Sequence, residues 1–527
     1  MRKPTHRRVV MLVDNRVEGD SRVQKAARSA AEAGWEVILL GRSPDRRRRS
    51  WRLGDARVRL LPVPTAVSAH QVRWAPLRRP LAYRPGPIAG YRRQQLKAWR
   101  AELRNRRALL RLERRRGASA ASLLIRQGRL LAARTAFAAF RRWVSVRLSQ
   151  TASLMAARKR LNRPLDRMAL SFWRRAMGER CWRRLDPQLS AYEVAFGPVV
   201  DRLRPDLIHA HDFRMIGVGA RAKLRAQAKA RDVKLVWDVH EYLPGIKPWN
   251  DSPRWHPAQC AHEREFAACA DAVVTVSETL ADLLVRRHGL RERPAVVLNA
   301  PETPTARTGP GLREMCGVDA GTPLIVYSGA AAPQRGLDIM VEALPYLPDV
   351  HAALVVPRPA AAYVVGLERR AEELGVAGRL HVLPYVAYDE VVAFLSGADA
   401  GVIPIHRWQN HEIALITKFF EYAHARLPLV VSDVKTMAET VRRVGHGEVF
   451  PVGDLEGFVR AVLAVLSDPR RYRAAYDAPG LLDEWTWEAQ AAKLDRLYRR
   501  LLPAAAERPA CGEADLGRLA ASPNGTT

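Results

Sequence analysis

The sequence is poor in cysteine, in long apolar runs and, over one long segment, in acid. Its five cysteines (Cys181, Cys260, Cys269, Cys316 and Cys511) are scattered and odd in number. That excludes a disulfide framework and fits a reducing compartment. Cys260, His262 and Cys269 lie close together, but their spacing matches no zinc pattern, so no metal site is expected. The first apolar run, Val9 to Val13, is cut short by Asp14 and cannot serve as a signal-peptide core. No run approaches the roughly 18 apolar residues of a spanning helix. These absences lead to the expectation of a cytoplasmic protein. The loop after the first strand, DNRVEGD, is not GxGxxG, which argues against a dinucleotide site.

The shortage of acid is local. Of a formal charge of +32, most lies in residues 71–190, where 31 Lys and Arg face five Asp and Glu. No clear strand interrupts this segment. Leu130, Ala133, Phe137, Phe140, Val144 and Leu148 form one helical stripe, with Arg134, Arg141, Arg142 and Arg147 around it. Trp74, Trp99, Trp143, Trp173 and Trp182 are spread through the same stretch. Basic amphipathic helices with tryptophans fit docking on an anionic membrane surface, which would make the protein peripheral on the inner face of the cell membrane. An ordinary helical subdomain with a solvated face is the nearest alternative. The stripe is too apolar for a surface that reads phosphates alone, so nucleic acid is not the expected partner.

Elsewhere short buried strands alternate with helices. VVMLV, a polar loop with Gly19, a helix over 21–33 and EVILL open the chain, and Ser21 with Gln24 has capping-box spacing. Arg7, Arg8 and the run 46–49 read as solvated charge. RPDLIHAHD, KLVWDVHE, DAVVTVSE and AVVLNAPE follow, each ending in polar residues as buried parallel strands do at a crevice. His211, His240, Glu241, Ser277 and Asn299 fall at these ends, and histidines on two successive strands favour a site. A Pro/Gly-rich linker at 301–310 precedes a second α/β run over 311–480, then an amphipathic helix over 485–502 and a tail, 504–527, expected to be disordered. Two parallel α/β domains joined by a linker imply a cleft between their strand ends.

The stretch NHEIALITKFFEYAHARLPLVVSD carries the sharpest signal. Ile413, Ile416, Phe420 and Ala423 predict a helix over 413–424, with Lys418 and Glu421 one turn apart. Alone, that pair is an ordinary surface ion pair. Beside Ser328-Gly329 and Arg335-Gly336 it becomes a clamp, because two cations facing a helix N-terminus suit a diphosphate. A carboxylate such as Glu421 suits a ribose diol.

With these residues in place, the sequence resembles the retaining glycosyltransferases of family 4. The resemblance rests on YSG…RGLDIMVEAL, HVLPYV, TKFFEYAHARLPLVVSD, the opening DNRVEGDSRVQKAARSAAEAGWEVILL, IHAHD, WDVHE, ADAVVTVSETLADLL…VLNAPE and EWTWEAQAAKLDRLYRRL. It covers nearly everything except 71–190 and the tail. It implies the α/β GT-B architecture: two Rossmann-like parallel-sheet domains facing a cleft, an acceptor domain over 1–300 carrying the basic, mainly helical insertion, a donor domain over 311–480, and a helix over 481–503 crossing back. It gives Arg335 and Lys418 the donor diphosphate, Glu421 the ribose, and Tyr385 and Val386 the base. Gly19, Ser328 and Gly329 would approach the phosphates, and His240 would orient groups near the donor sugar. His211, Asp212 and Glu241 would lie on the acceptor side, and Glu412 and Asn410 against the sugar. Two features depart from the family pattern: Ala330 stands where an arginine is frequent, and Glu412 is nine residues before Glu421 rather than eight.

The implied reaction moves a sugar from a nucleotide diphosphate to a hydroxyl of a glycan or lipid-linked acceptor, with retention and without a metal or other cofactor. A nucleotide-sugar epimerase shares the two-domain fold but not the RGL and K…EY pair. A non-catalytic basic adaptor for membrane or nucleic acid would use the α/β pair only as scaffold.

Overall fold

The computed structural model describes residues 7–45, 47–64, 81, 83, 88–151, 164–246, 253–303, 309–387 and 389–503. The expected linker and tail therefore fall largely outside the described residues, at 304–308 and 504–527. Two sheets organise the chain. The first comprises β1 (Arg8–Leu12), β2 (Glu36–Arg42), β3 (Arg49–Leu53), β4 (Ala56–Leu61), β5 (Leu207–His211), β6 (Lys234–Val239), β7 (Ala272–Thr275) and β8 (Ala295–Val296). Its order is β3-β4-β2-β1-β5-β6-β7-β8, parallel except for the β3–β4 hairpin. The second comprises β9 (Leu324–Ser328), β10 (His351–Val356), β11 (Leu380–Pro384), β12 (Ala400–Ile403), β13 (Leu429–Ser432) and β14 (Gly447–Phe450). Its order, β11-β10-β9-β12-β13-β14, is wholly parallel.

The β-branched runs Val9-Val10 and Val430-Val431 are fully buried because helices cover both faces of each sheet. In both sheets the order reverses at the first strand, between β1 and β5 and between β9 and β12. Crevices beyond the strand carboxyl ends at such a reversal are where ligands bind in this architecture. The helix Trp487–Leu501 ties the halves together. Trp485 packs in the core of the second domain, whereas Trp487, Leu494, Leu497 and Tyr498 pack against the first sheet.

Helices Ile88–Arg115 and Ala120–Thr151 form a hairpin within the basic segment. It is fastened to the first domain by Arg183, which contacts Glu102 at 3.0 Å and also Glu265. The apolar stripe from Leu130 to Leu148 does not face outward as a membrane stripe would. Val144 is fully buried, and Phe137 and Phe140 pack on Trp99 with ring centroids 5.6 and 5.5 Å apart. Trp182 is also buried, and Trp74 lies outside the described residues. On the helix Ala120–Thr151 the exposed large apolar residues are Leu124, Ile125, Leu131 and Val146, together with Trp143, one of the expected tryptophans.

Local chemistry corrects three further expectations. Arg8 is no solvated charge but pairs with Glu36 at 3.0 Å, whereas Arg47, Arg48 and Arg49 are exposed as expected. Asp20, not Ser21, caps the first helix by accepting from the Val23 N–H, while the Gln24 amide turns to the Val17 carbonyl. The helix expected over 413–424 starts only at Thr417. Residues 413–416 leave the helical path because Ile413 drops into the core of the first domain and its carbonyl accepts from Ser277 across the cleft.

Candidate active site

Between the two sheets lies a cleft of about 1150 Å³. On its second-domain side, β9 ends at Ser328-Gly329 and the helix Thr417–His424 points its N-terminus inward. The extended segment before Thr417 frees the first N–H groups of that helix, which an anion can accept. Lys418 rises beside Gly329, where a Cβ would lie 3.0 Å from the lysine Nζ. With φ at +120°, that position suits glycine on conformational grounds as well. Lys418 also sits 3.9 Å from the centre of the Tyr327 ring.

Burial and the nearby Arg335 guanidinium push the Lys418 ammonium well below the usual lysine range, against the pull of Glu421. Burial raises Glu421, opposed by Lys418 and Lys25. Arg335 ends a short turn closed by Gly336, whose missing Cβ admits the Pro404 carbonyl. Its guanidinium has no hydrogen-bond partner among the described residues. A half-buried cation and a nearly buried one, both lacking a full counter-charge, face one helix N-terminus. Such an arrangement is complementary to a polyanion. Tyr385 and Val386, at the end of β11, line the same wall.

The first-domain side is different. The β5–β6 register sets His211 opposite Asp238, and strand alternation buries both beneath His240. Arg22 grips both oxygens of Asp238, at 2.9 and 3.1 Å, and holds that carboxyl well below the usual range despite burial. His240 lies 3.3 Å from Asp238 and 3.5 Å from Asp212. Burial opposes a charge on His240, but the two carboxylates outweigh it and raise the imidazole to about 9. Burial raises Asp212 to about 7, with Asp14, Glu241 and Asp20 adding to it against His240. Burial lowers His211 to about 3, so it stays neutral. Of this group, Asp20, Arg22, His240 and Glu241 line the cleft, whereas His211, Asp212 and Asp238 do not.

His209, His211 and Asp238 bring ligand-type atoms within 4.8 Å of one another. The forked Arg22 on Asp238 makes this an ion-paired cluster rather than a cradle for a cation. Gly19 reaches the cleft on a loop fixed by Asn15, which accepts from the Val17 N–H at 2.7 Å and donates to Asp20 at 2.7 Å.

The cleft thus brings together Gly19, His240, Glu241, Ser328, Gly329, Arg335, Tyr385, Val386, Asn410, Lys418 and Glu421. His211 and Asp212 stand behind His240 instead of facing the cleft. Glu412 points elsewhere: its carboxylate accepts from the Lys435 N–H at 2.7 Å and lies 3.6 Å from Arg407, capping the helix Lys435–Val444. The expected contact of Glu412 with a sugar is therefore corrected. Asn410 lines the cleft but spends its amide on Tyr242, accepting from its N–H at 2.7 Å and donating to its carbonyl at 3.2 Å. Sequence reasoning missed Trp408, His411 and Thr417. Trp408 stacks on His411, and Thr417 accepts from Asn299 across the domains at 2.8 Å. Their position next to the Lys418 helix was the available signal.

Comparisons with known proteins agree with this geometry. Residues 154–301 match the family model described as Glycosyltransferase Family 4, and residues 312–478 match Glycosyl transferases group 1. D-inositol 3-phosphate glycosyltransferase from Xylanimonas cellulosilytica is 29% identical over 310 residues, covering 55% of this chain and 71% of that protein. The GDP-mannose-dependent alpha-(1-6)-phosphatidylinositol monomannoside mannosyltransferase of Mycolicibacterium smegmatis is 28% identical over 323 residues, covering 57% and 80%. Sucrose-phosphate synthase from Thermosynechococcus elongatus shares the fold with a TM-score of 0.57 at 14% identity, covering 95% of this chain and 100% of that one. Anabaena HepE in complex with UDP and glucose does so with a TM-score of 0.54 at 12% identity, covering 94% and 100%. Together with the two-sheet cleft and its clamp, these matches make the chain a member of glycosyltransferase family 4, with the GT-B architecture.

Proposed function

We propose that the enzyme transfers a sugar, with retention, from a nucleotide diphosphate to a hydroxyl of a lipid-linked or glycan acceptor. The observation that carries this reading is that Arg335, Lys418 and the Thr417 helix N-terminus line the same part of the cleft, with Lys418 beside Gly329. Glu421 lies one turn further along the same helix and lines the same cleft, where its carboxylate suits a ribose diol. As the bond between the anomeric carbon and the diphosphate breaks, its electron pair goes to the leaving oxygen. The two cations and the helix N-terminus stabilise that growing charge. The acceptor oxygen bonds to the anomeric carbon on the same face, and its proton passes to the departing diphosphate. His240, cationic at neutral pH, donates a hydrogen bond to the donor sugar and holds it in position. The clamp supplies the positive charge itself, so turnover needs no metal and persists in EDTA.

The same reading puts the enzyme against an anionic membrane. Leu124, Ile125, Leu131, Trp143 and Val146 are exposed on a helix that also carries exposed Arg126, Arg129, Arg134, Arg141 and Arg142, a combination suited to the headgroup region. Among the described residues, no helix is long and apolar enough to cross a membrane.

A thermal-shift screen over nucleoside diphosphates and their sugars tests the donor site. A ligand at 100 times its Kd stabilises the fold by about 2.7 kcal/mol. No shift with any of them refutes the reading, and an inverted anomeric product refutes retention.

A further inference from the structure

A second cavity of about 750 Å³ opens on the first domain beside the cleft. Three helices bring arginines to it: Arg174 and Arg175 from Pro164–Met177, Arg264 from Trp255–Ala267, and Arg287 from Glu278–His288. Arg264 and Arg287 also line an adjoining hollow with Arg286, so five guanidiniums share one continuous recess. Acid is sparse around it. Glu179 reaches Arg264 only at 3.9 Å, and Glu263 takes Arg287 at 3.4 Å. Arg174, Arg175 and Arg286 have no partner among the described residues, and all three are exposed.

Charge gathered from three elements at a concave surface costs mutual repulsion, which a bound anion relieves. The cysteines in the wall are held as thiols, because burial pushes Cys260 up to about 11 and also raises Cys181.

Two further observations specify the anion. The turn Leu243–Gly245 separates the recess from the donor cleft, with Pro244 lining the one and Gly245 the other. It is pinned on both sides: His256 contacts the Leu243 carbonyl at 3.1 Å, and Asn410 holds the neighbouring Tyr242 backbone. A molecule with its anionic end in the recess therefore has only one turn to pass before reaching the donor. On the helix that supplies Arg174 and Arg175, Met168 and Phe172 stand 66% and 59% exposed. Basic recess and apolar flank together match an amphiphile.

We propose that this recess binds the phosphate or diphosphate of a lipid-borne acceptor. Its hydroxyl reaches over the Leu243–Gly245 turn to the donor, and its apolar chain leaves along Met168 and Phe172. This rests on the reading of the cleft as the donor site, and the test separates the two. Farnesyl diphosphate, inorganic diphosphate and farnesol serve as probes, titrated by calorimetry against the full chain carrying Arg335→Ala and Lys418→Ala. Those changes disable the clamp that would otherwise take up a diphosphate.

Farnesyl diphosphate is expected to bind this clamp-less protein. Adding Arg174→Ser, Arg175→Ser and Arg286→Ser should weaken it at least about tenfold. The three serine changes alone should leave stabilisation by nucleoside diphosphates intact. Loss of all farnesyl diphosphate binding in the clamp-less protein, or indifference to the three serines, overturns the proposal. Inorganic diphosphate binding as tightly as farnesyl diphosphate overturns the lipid source, and farnesol binding as tightly overturns the phosphate. A failed nucleotide screen with a positive farnesyl diphosphate titration would sink the donor reading alone.

Discussion

The two sheets reverse their strand order in the same way, yet they place opposite kinds of chemistry at the reversal. At the ends of β5 and β6 the first domain gathers Asp212, Asp238, His211 and His240, and it neutralises them internally through Arg22. At the end of β9 and the helix after β12 the second domain gathers Arg335 and Lys418 and leaves them short of counter-charge. One side has its protonation set by the protein. The other is completed only by an anion from outside. A buried group that is already paired orients a ligand, whereas a buried group that is not pays for its burial when the ligand arrives.

Removing the unsatisfied charge should have the largest effect. Lys418→Ala deletes the cation nearest the helix N-terminus and leaves the paired cluster untouched. A loss of about 10³-fold in kcat/KM is expected, the scale of removing one strong electrostatic contact to a developing charge. Donor-induced thermal stabilisation should fall with it. An activity within tenfold of the parent would break the comparison, because the second domain would then not be where the leaving charge is met.

The paired side should respond less in rate and more in pH. His240→Gln keeps a hydrogen-bond donor but loses the charge, and about 10²-fold in kcat is expected. In the parent, His240 is raised to about 9, so it is cationic below that value and loses its proton as pH rises through it. Activity should therefore fall on the alkaline side near pH 9, and that limb should vanish in His240→Gln. An alkaline limb that survives the substitution would assign the titration to another group.

The contrast explains what could be read from the sequence. Buried parallel strands announce themselves as apolar runs with polar ends, so both sheets and most strand-end residues were legible. His240 was found because it directly follows the end of β6, and Arg335, Lys418 and Glu421 because the turn and the helix that carry them belong to legible strand–helix units. What failed depends on contacts far apart in the chain. Ile413 fits a helical rhythm, but the first domain buries it and unwinds the turn. The stripe Leu130 to Leu148 has the pattern of a membrane face, yet the helix before it supplies Trp99 as its partner. Hydrophobic periodicity shows that a face is covered and does not say by what. The edge hairpin of β3 and β4 was hidden by its arginines, which suit an exposed edge.

The smallest expected effect concerns Glu412, which precedes Lys418 in the same stretch and yet stands outside the cleft. Its carboxylate accepts from the Lys435 N–H at 2.7 Å, and its own carbonyl accepts from the Thr436 hydroxyl at 2.7 Å. Both contacts hold the start of the Lys435–Val444 helix rather than any point in the cleft. Glu412→Ala should therefore cost about 1 kcal/mol of stability, the usual loss when a helix N-terminus loses its capping oxygen. In a domain of this size that lowers Tm by about 2–4 °C. Donor affinity and kcat should stay within about twofold, since charge on the clamp is unchanged. The opposite pattern, a large fall in kcat with an unmoved Tm, would mean that Glu412 swings from the helix to the donor sugar during turnover. The second domain would then supply an acid as well as cations, and the division of labour between the two sheets would no longer hold.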